Sequence, residues 1–201
     1  SGYWFEAMET TYLVLAAVSL CMLMGVSLGI WAHHSERRMA LIQIGLDTFQ
    51  TMPSFIYLLP VIMLFRVGPA AALTAMIIYP TVPATRYTML GLRGVPADKI
   101  EAALTSGCTP GQVLRKVKLP LAMPEILLGL NQTILYTLFM AMIAALIGGI
   151  NGLGTPLLLS LTNSDIGAGS ILGLCVALLG LTSDRLITVW SGDRKAQLGL
   201  D

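Results

Sequence analysis

The sequence predicts an all-α, polytopic membrane protein. Its 201 residues are 55% hydrophobic and only 11% charged, and the mean hydropathy is +0.77. Soluble domains carry roughly 25% charged residues, so this composition indicates an integral membrane protein. A series of long apolar stretches is the second observation, and the uneven distribution of basic residues between the intervening loops is the third. Together they predict helices that cross a bilayer several times in a defined orientation.

Five apolar stretches are long enough to span the bilayer, which takes ~20 mostly apolar residues per helix. They are Tyr12–Trp31, Leu46–Phe65, Ala70–Leu90, Ile126–Ile150 and Ile166–Thr188. Prolines interrupt the second and third stretches at Pro53, Pro60, Pro80 and Pro83. A bundle tolerates kinked spans where neighbouring helices bond the freed backbone groups. We therefore expect these two spans near the bundle interior or a translocation path.

The N-terminal stretch Tyr12–Trp31 is expected to be a span and not a cleavable signal peptide. It is long, and it lacks both a basic segment before it and a small-residue cleavage site. Because the chain begins with Ser1 and not with Met, we expect it to be part of a longer protein.

Basic residues predict the orientation. Of the 12 Lys and Arg residues, only Arg66 falls in the loops on one side, and the others fall in the loops on the opposite side. Basic loops favour the cytoplasmic side, so the N-terminus is expected outside and the C-terminus inside. The net charge of +1 and the lack of a basic block give no indication of a nucleic-acid partner.

The longest hydrophilic stretch, Gly91–Pro124, is thereby placed in the cytoplasm, and it carries helix signals. Pro96 can begin a short helix that Gly107 would end. Thr109 and Gln112 form a capping box at the start of a second helix. We expect a helix-turn-helix with one apolar face at the membrane surface, which would offer a folded surface to a partner.

This loop contains EAALTSGCTPGQVLRKVKLP, residues 101–120. The pattern is Glu-Ala-Ala, three residues, Gly, nine residues, an aliphatic residue, one residue, then Leu-Pro. It resembles the EAA signature of the permease subunits of ABC importers, and Val117 stands where Ile is usual. The resemblance implies a coupling helix that docks in a groove of an ATPase subunit. The matching residues, expected to serve this coupling, are Glu101, Ala102, Ala103, Gly107, Val117, Leu119 and Pro120.

The resemblance extends from about Met8 to about Val189 and is more specific. The segments Asp47–Phe65, Lys118–Thr133 and Val95–Ala103 are similar to the permeases of glycine betaine/proline betaine importers, as is Ser183–Leu186 after the last span. This implies one transmembrane permease domain over residues 1–201 for a quaternary amine: glycine betaine, proline betaine or choline. Permeases of methionine-type amino-acid importers share the five-span core and remain an alternative.

The resemblance also implies the partners and the location. We expect a homodimer surrounded by membrane lipid in the cytoplasmic (inner) membrane of a bacterium or archaeon. A separate ABC ATPase subunit would use ATP, and an extracytoplasmic solute-binding protein would deliver the solute. The chain itself is expected to have no catalytic residue and to bind no metal or cofactor, since no GxxxxGK[ST] run occurs in it.

Polar and aromatic residues near the interrupted spans are candidates for a solute path. A trimethylammonium group cannot donate hydrogen bonds, so proteins hold it mainly with aromatic faces. Interhelical hydrogen bonds and packing are the alternative role for such side chains. The candidates are Gln50, Thr51, Pro53, Phe55, Tyr57, Asn131 and Tyr136.

Two other classes of protein are less consistent with the sequence. An ion-coupled secondary transporter or channel often places ionisable residues at mid-membrane, whereas the central parts of these five spans lack them. An intramembrane hydrolase needs a Ser/His or metal constellation, whereas His33 and His34 lie at an interface.

We expect Asp47, Glu125 and Asp184 to be interfacial carboxylates. The glycines around Asn151 are expected to form an outer turn or a re-entrant segment; they are Gly148, Gly149, Gly152 and Gly154.

Overall fold

The computed structural model describes residues 2–147 and 150–198, with side chains through residue 193. These residues form helices and turns and no strand, so the predicted all-α class is confirmed. The helices are α1 (Trp4–His33), α2 (Glu36–Thr51), α3 (Leu58–Phe65), α4 (Pro69–Ile78), α5 (Thr81–Arg93), α6 (Ala97–Thr105), α7 (Pro110–Val113), α8 (Leu119–Leu146), α9 (Gly154–Thr162) and α10 (Ile166–Leu198).

Three of the five predicted spans contain a single continuous, apolar helix. By length and composition, Trp4–His33, Pro110–Leu146 and Ile166–Asp193 can each cross a membrane. A bent pair of helices, Glu36–Thr51 with Ser54–Phe65, gives a fourth span if it is counted as one. The predicted polytopic architecture is therefore present, but two of the spans are built from shorter pieces.

The predicted second span begins earlier than expected and is sharply bent. Helix α2 starts at Glu36, ten residues before the predicted start, and meets the segment Ser54–Phe65 at 105°. Met52, the residue before Pro53, has an extended backbone (φ −80°, ψ 136°). Proline disfavours the helical conformation in the residue before it, which explains why the helix ends there. The bend aims α2 and α3 in different directions.

The predicted third span is divided between α4 and α5. Helix α4 ends at Ile78 and α5 begins at Thr81, with Tyr79 and Pro80 between them. Both linking residues keep helical torsions, so the chain continues inward. Because Pro80 has no backbone N–H, the regular hydrogen-bond ladder is interrupted at this point.

The helix predicted to begin at Thr109 does not end before the fourth span. Helix α7 passes through a π-helical turn, Leu114–Lys118, directly into α8. Pro120 lies in the first turn of α8 and Pro124 lies inside it. A wider turn is one way in which a helix accommodates prolines that cannot donate their hydrogen bonds. The second helix of the predicted helix-turn-helix is therefore continuous with the fourth apolar stretch.

The glycine-rich segment leads into a short helix that the sequence did not predict. Gly148 and Gly149 lie outside the described residues. Gly152 has φ +103°, a conformation that glycine adopts at little cost. Helix α9 begins two residues later, and the hydroxyl of Thr10 on α1 accepts a hydrogen bond from the Leu153 N–H (2.9 Å). This contact ties the segment to the outer end of α1.

The core of the bundle is formed by α1, α5 and α8. Small residues let these helices approach closely: a Cβ added at Gly29 of α1 would lie 2.7 Å from the Cβ of Thr88 on α5. Ala75, Met76 and Met140 are fully buried in the main apolar cluster. Close helix approach over small residues is the usual packing mode in membranes. By contrast, α10 is mostly exposed along its length.

Candidate functional site

The turn after α6 has the conformation that the sequence predicted. Gly107 has φ +83°, and the Gly107 N–H bonds to the Leu104 carbonyl (3.0 Å) while the Cys108 N–H bonds to the Ala103 carbonyl (3.1 Å). This is a Schellman motif, in which a left-handed residue ends the helix and satisfies its last carbonyls. A Cβ at Gly107 would meet no atom within 4 Å. The need for glycine at this position is therefore torsional and not steric.

The predicted capping box at Thr109 is also formed. The Thr109 hydroxyl accepts from the Gln112 N–H (3.4 Å), and the Gln112 side chain accepts from the Thr109 N–H (2.8 Å). Such reciprocal bonds satisfy two backbone donors at the start of the helix. The loop between α6 and α7 is consequently closed at both ends by its own hydrogen bonds.

Apart from Gly107, the residues of the signature fall into two groups with different surroundings. Helix α6, which carries Glu101, Ala102 and Ala103, has no buried residue. Val117, Leu119 and Pro120 lie half-buried at the start of α8. There, Leu119 packs against the buried cluster of Leu92, Ala122 and Ile126. The first group therefore presents an outer surface, whereas the second group joins that surface to the bundle.

The base of the loop is connected to the inner end of α1. The Lys118 Nζ lies 2.8 Å from His33 Nε2. Behind α6, a cavity of about 370 Å³ is lined by both histidines and by apolar side chains that include Leu104 and Val113. A movement of α6 would therefore be transmitted to α1 as well as to α8. Within the described residues, no group of three His, Cys, Asp or Glu side chains could hold a metal ion.

Four aromatic rings from four segments form a row inside the bundle. Phe49 of α2 stacks on Tyr57, Tyr57 contacts Tyr79, and Tyr79 stacks on Tyr136 of α8, with 5.4 Å between successive ring centroids. The Tyr57 hydroxyl donates a hydrogen bond to the Phe49 carbonyl. The structure thus brings Tyr57 and Tyr136 together through Tyr79, whereas Phe55 is 50% exposed.

The polar candidates occupy separate places. Gln50, Thr51 and Pro53 are exposed at the bend, and the Thr51 hydroxyl donates to the Thr48 carbonyl (2.9 Å). Asn131 is buried and donates from Nδ2 to Asp184 Oδ1 of α10 (2.6 Å). Among the described residues, its amide oxygen has no partner. Asp184, which the sequence predicts to be an interfacial carboxylate, is therefore also a partner in an interhelical hydrogen bond.

Sequence reasoning missed an ion pair between the two proline-interrupted spans. Arg86 Nη2 of α5 lies 2.6 Å from Asp47 Oδ1 of α2. We expected Asp47 to be interfacial and counted Arg86 only among the basic residues of the cytoplasmic side. The available signal was an Asp well inside a helix with an Arg inside a neighbouring span. Tyr79 was likewise absent from the candidate path, although it joins the two tyrosines that were in it.

These features define a class: a helical membrane protein with a folded, exposed loop at one end of the bundle. Residues 22–192 match the family described as "Binding-protein-dependent transport system inner membrane component". The chain belongs to this family, so the predicted membrane location and permease class are confirmed. Two solved transporters share the fold. One is the inward-facing MetNI methionine ABC transporter (TM-score 0.76, 20% identity, 94% of this chain and 93% of that chain). The other is an amino acid ABC transporter with histidines (TM-score 0.77, 21% identity, 92% and 91%).

Three curated relatives have closer sequences. The trimethylamine N-oxide transport system permease protein TmoV of Ruegeria pomeroyi is 44% identical over all of this chain and 30% of that protein. The glycine betaine/proline betaine permease ProW of Escherichia coli is 40% identical over 98% of this chain and 55% of that protein. The glycine betaine/carnitine permease GbuB of Listeria monocytogenes is 35% identical over 97% and 69%. The predicted resemblance to betaine permeases is thus confirmed, although the chain spans a third to two thirds of these relatives.

Proposed function

We propose that this chain is the membrane-spanning part of an ATP-driven importer for a solute with a trimethylated or similarly substituted cationic nitrogen. The exposed helix α6, held by a Schellman turn and a capping box, is the observation that carries the coupling role. Its outward residues Glu101 and Ala102 belong to no apolar core and are free to contact another protein. The partner is a separate ATPase subunit, which supplies the hydrolysis that this chain does not perform.

The solute class is supported by the relatives. Their names include trimethylamine N-oxide, glycine betaine and carnitine. Each of these solutes combines a methylated cationic nitrogen with an anionic oxygen. The first of these adds trimethylamine N-oxide to the solutes that the sequence indicated. An extracytoplasmic binding protein would select the solute and deliver it to a path of low affinity here.

The row of Phe49, Tyr57, Tyr79 and Tyr136 is the proposed aromatic part of that path. Aromatic faces attract a methylated ammonium group without needing it to donate hydrogen bonds. In this structure successive rings cover one another's faces, and the exposed ring of Phe49 forms the open end of the row. Passage would require the rings to part, which fits alternating access in which two copies of the chain rock against each other.

Reconstitution tests the proposal. The chain would be placed in liposomes with the ATPase subunit and binding protein encoded beside it, and uptake of radiolabelled glycine betaine, trimethylamine N-oxide or choline would be measured. Uptake is expected only with all three components and hydrolysable ATP. A non-hydrolysable nucleotide is the matched control. Methionine uptake without uptake of any methylated amine would contradict the solute class and leave the permease role intact.

A further inference from the structure

A groove runs between α2 and the inner half of α5, outside the aromatic row. It encloses about 310 Å³, near the lower limit for small-molecule sites. Its walls are mostly apolar and include Leu46 and Met89. The polar lining comes from Gln43, Arg86 and Arg93. A groove of this composition can surround a small solute with methyl groups while offering a few fixed polar contacts.

Arg86 lines this groove and pairs with Asp47, the neighbour of the lining residue Leu46 on α2. Arg86 is seven residues from Arg93, the end of α5, and therefore about 10 Å from that end at 1.5 Å per residue. Asp47 is eleven residues from Glu36, the start of α2, or about 16 Å. With the basic loops on the cytoplasmic side, these lengths place the pair between the inner edge and about the middle of a hydrocarbon core about 30 Å thick.

Both charged side chains are accessible at this depth. Their side-chain exposures are 33% for Arg86 and 54% for Asp47. Charged groups inside membranes are costly and face a bundle interior or a water-filled cavity, not lipid. The exposed side of α2 continues this polar surface with Gln43, Gln50 and Thr51, which share the face of Asp47 at helical spacing. This surface is therefore expected to border water.

The ion pair leaves bonding capacity unused. Arg86 contacts Asp47 through Nη2 and Oδ1, whereas a guanidinium can make two parallel bonds to an oxyanion. Arg86 Nε is buried and has no hydrogen-bond partner among the described residues. One cationic and one anionic group thus stand side by side, each able to take a further partner of opposite charge.

We propose that Asp47 and Arg86, with Gln43 beside them, form a transit site for a small zwitterion in the inner half of the path. The carboxylate of Asp47 faces the methylated cationic nitrogen, and the guanidinium of Arg86 binds the anionic oxygen. This site rests on the proposed function, because it assigns residues to the same solute.

The preformed ion pair explains why such a site would bind weakly and selectively. A zwitterion replaces the contact between Asp47 and Arg86 by two contacts of the same kind, so the net gain is small and release is fast. Choline carries the cation without an anionic oxygen. Choline would draw Asp47 away from Arg86 and leave the guanidinium unpaired. Because an unpaired charged group is costly, the site would discriminate against choline.

Protection of a thiol tests the site directly. The three cysteines Cys21, Cys108 and Cys175 would first be replaced, and Gln43→Cys would then be introduced. The importer would be reconstituted so that the thiol reagent can reach both ends of the groove. Glycine betaine is expected to slow maleimide labelling several-fold, and choline at equal concentration is expected to slow it much less. Leu41→Cys is the matched control, since Leu41 is 70% exposed on another face of α2; its labelling should not change.

Three results would overturn the proposal: equal labelling of Gln43→Cys with and without betaine, protection by inorganic phosphate but not by betaine, or equal protection at Leu41→Cys. Arg86→Gln combined with Gln43→Cys should abolish the protection, and Arg86→Lys covers the case in which the neutral variant does not fold. Uptake by the wild-type importer is measured in parallel. Betaine uptake without protection of the thiol would refute only the proposed site. If no methylated amine is taken up, the proposed function itself would be refuted.

Discussion

At the scale of single residues, Gly107 and Asn131 show two different reasons why a residue type is required. Gly107 is needed for its backbone torsion, since the space around it is open. Asn131 is needed for its side chain, since it is buried against a carboxylate of another helix. The sequence identified the first role correctly from the spacing of the signature. It left the second undecided between a solute contact and a hydrogen bond.

Replacing Gly107 should impair coupling without unfolding the bundle. Gly107→Val is expected to strain the left-handed turn by about 1–2 kcal/mol and to reorient α6, because a β-branched residue disfavours φ +83°. Membrane insertion should be retained, and co-purification with the ATPase subunit should be lost. Gly107→Asn is the control, since Asn tolerates this torsion best among the larger residues. Equal ATPase binding by both variants and the wild type would refute the role of the turn.

Removing the Asn131 amide should destabilise the contact between α8 and α10. Asn131→Leu leaves the Asp184 carboxylate without its buried donor, at a cost of about 1–3 kcal/mol. The double variant Asn131→Leu/Asp184→Leu removes both polar groups and should recover part of this loss. Thermal unfolding in detergent measures the three proteins. If the double variant is the least stable, the pair is not held by this hydrogen bond.

At the scale of elements, close approach and bending determine where the helices lie. Helix α1 can pack against α5 because Gly29 leaves room for Thr88. Helix α2 departs from the predicted span because Pro53 constrains Met52. Neither effect depends on hydrophobicity, which is the property that located the spans in the sequence. Hydrophobicity therefore located the apolar stretches, but it did not predict the shapes of the helices that form in them.

The packing of α1 on α5 predicts opposite effects for two glycines. Gly29→Ala should destabilise the protein by about 1–3 kcal/mol, because its Cβ would lie 2.7 Å from two atoms of Thr88. Gly45 on α2 has no atom within 4 Å of an added Cβ, so Gly45→Ala should be neutral or stabilise by about 0.5–1 kcal/mol. Thermal unfolding distinguishes them. Equal effects would show that α1 and α5 do not pack as described.

The orientation of the elements can be tested from outside the cell. In a cysteine-free background, Lys99→Cys on α6 should be protected from an impermeant thiol reagent in intact cells, because its loop is predicted to be cytoplasmic. Val67→Cys is the control: Val67 is 55% exposed in the loop that contains Arg66, on the opposite side. Ready labelling at Lys99→Cys, with protection at Val67→Cys, would invert the orientation.

At the scale of the whole molecule, the proposed transport path is open on one side of the single chain. The groove of Asp47 and Arg86 and the end of the aromatic row at Phe49 both open to the outside of the single bundle. Polar surface at membrane depth needs water or protein beside it. A second copy, arranged about a two-fold axis, would enclose this surface, which is the usual symmetry of soluble and membrane homodimers alike.

The assembled permease should therefore be a homodimer. Its protein mass, measured by light scattering with the detergent contribution subtracted, is expected to be twice the 21.5 kDa of one chain. Two ATPase subunits should join each dimer, one on each α6. A monomer that still binds one ATPase subunit and supports uptake would contradict the enclosed path.

The sequence by itself determined the class of this protein and the turn that ends α6, and it predicts the orientation and the coupling role of the loop. These depend on local properties: runs of apolar residues, the sidedness of basic residues, and the torsional and capping preferences of Gly107 and Thr109. The tertiary structure alone decided which side chains meet. Asp47 and Arg86 are 39 residues apart, and Tyr57, Tyr79 and Tyr136 come from three separate segments. Such contacts follow from how bent helices pack, because a single proline bend of 105° redirects every side chain beyond it.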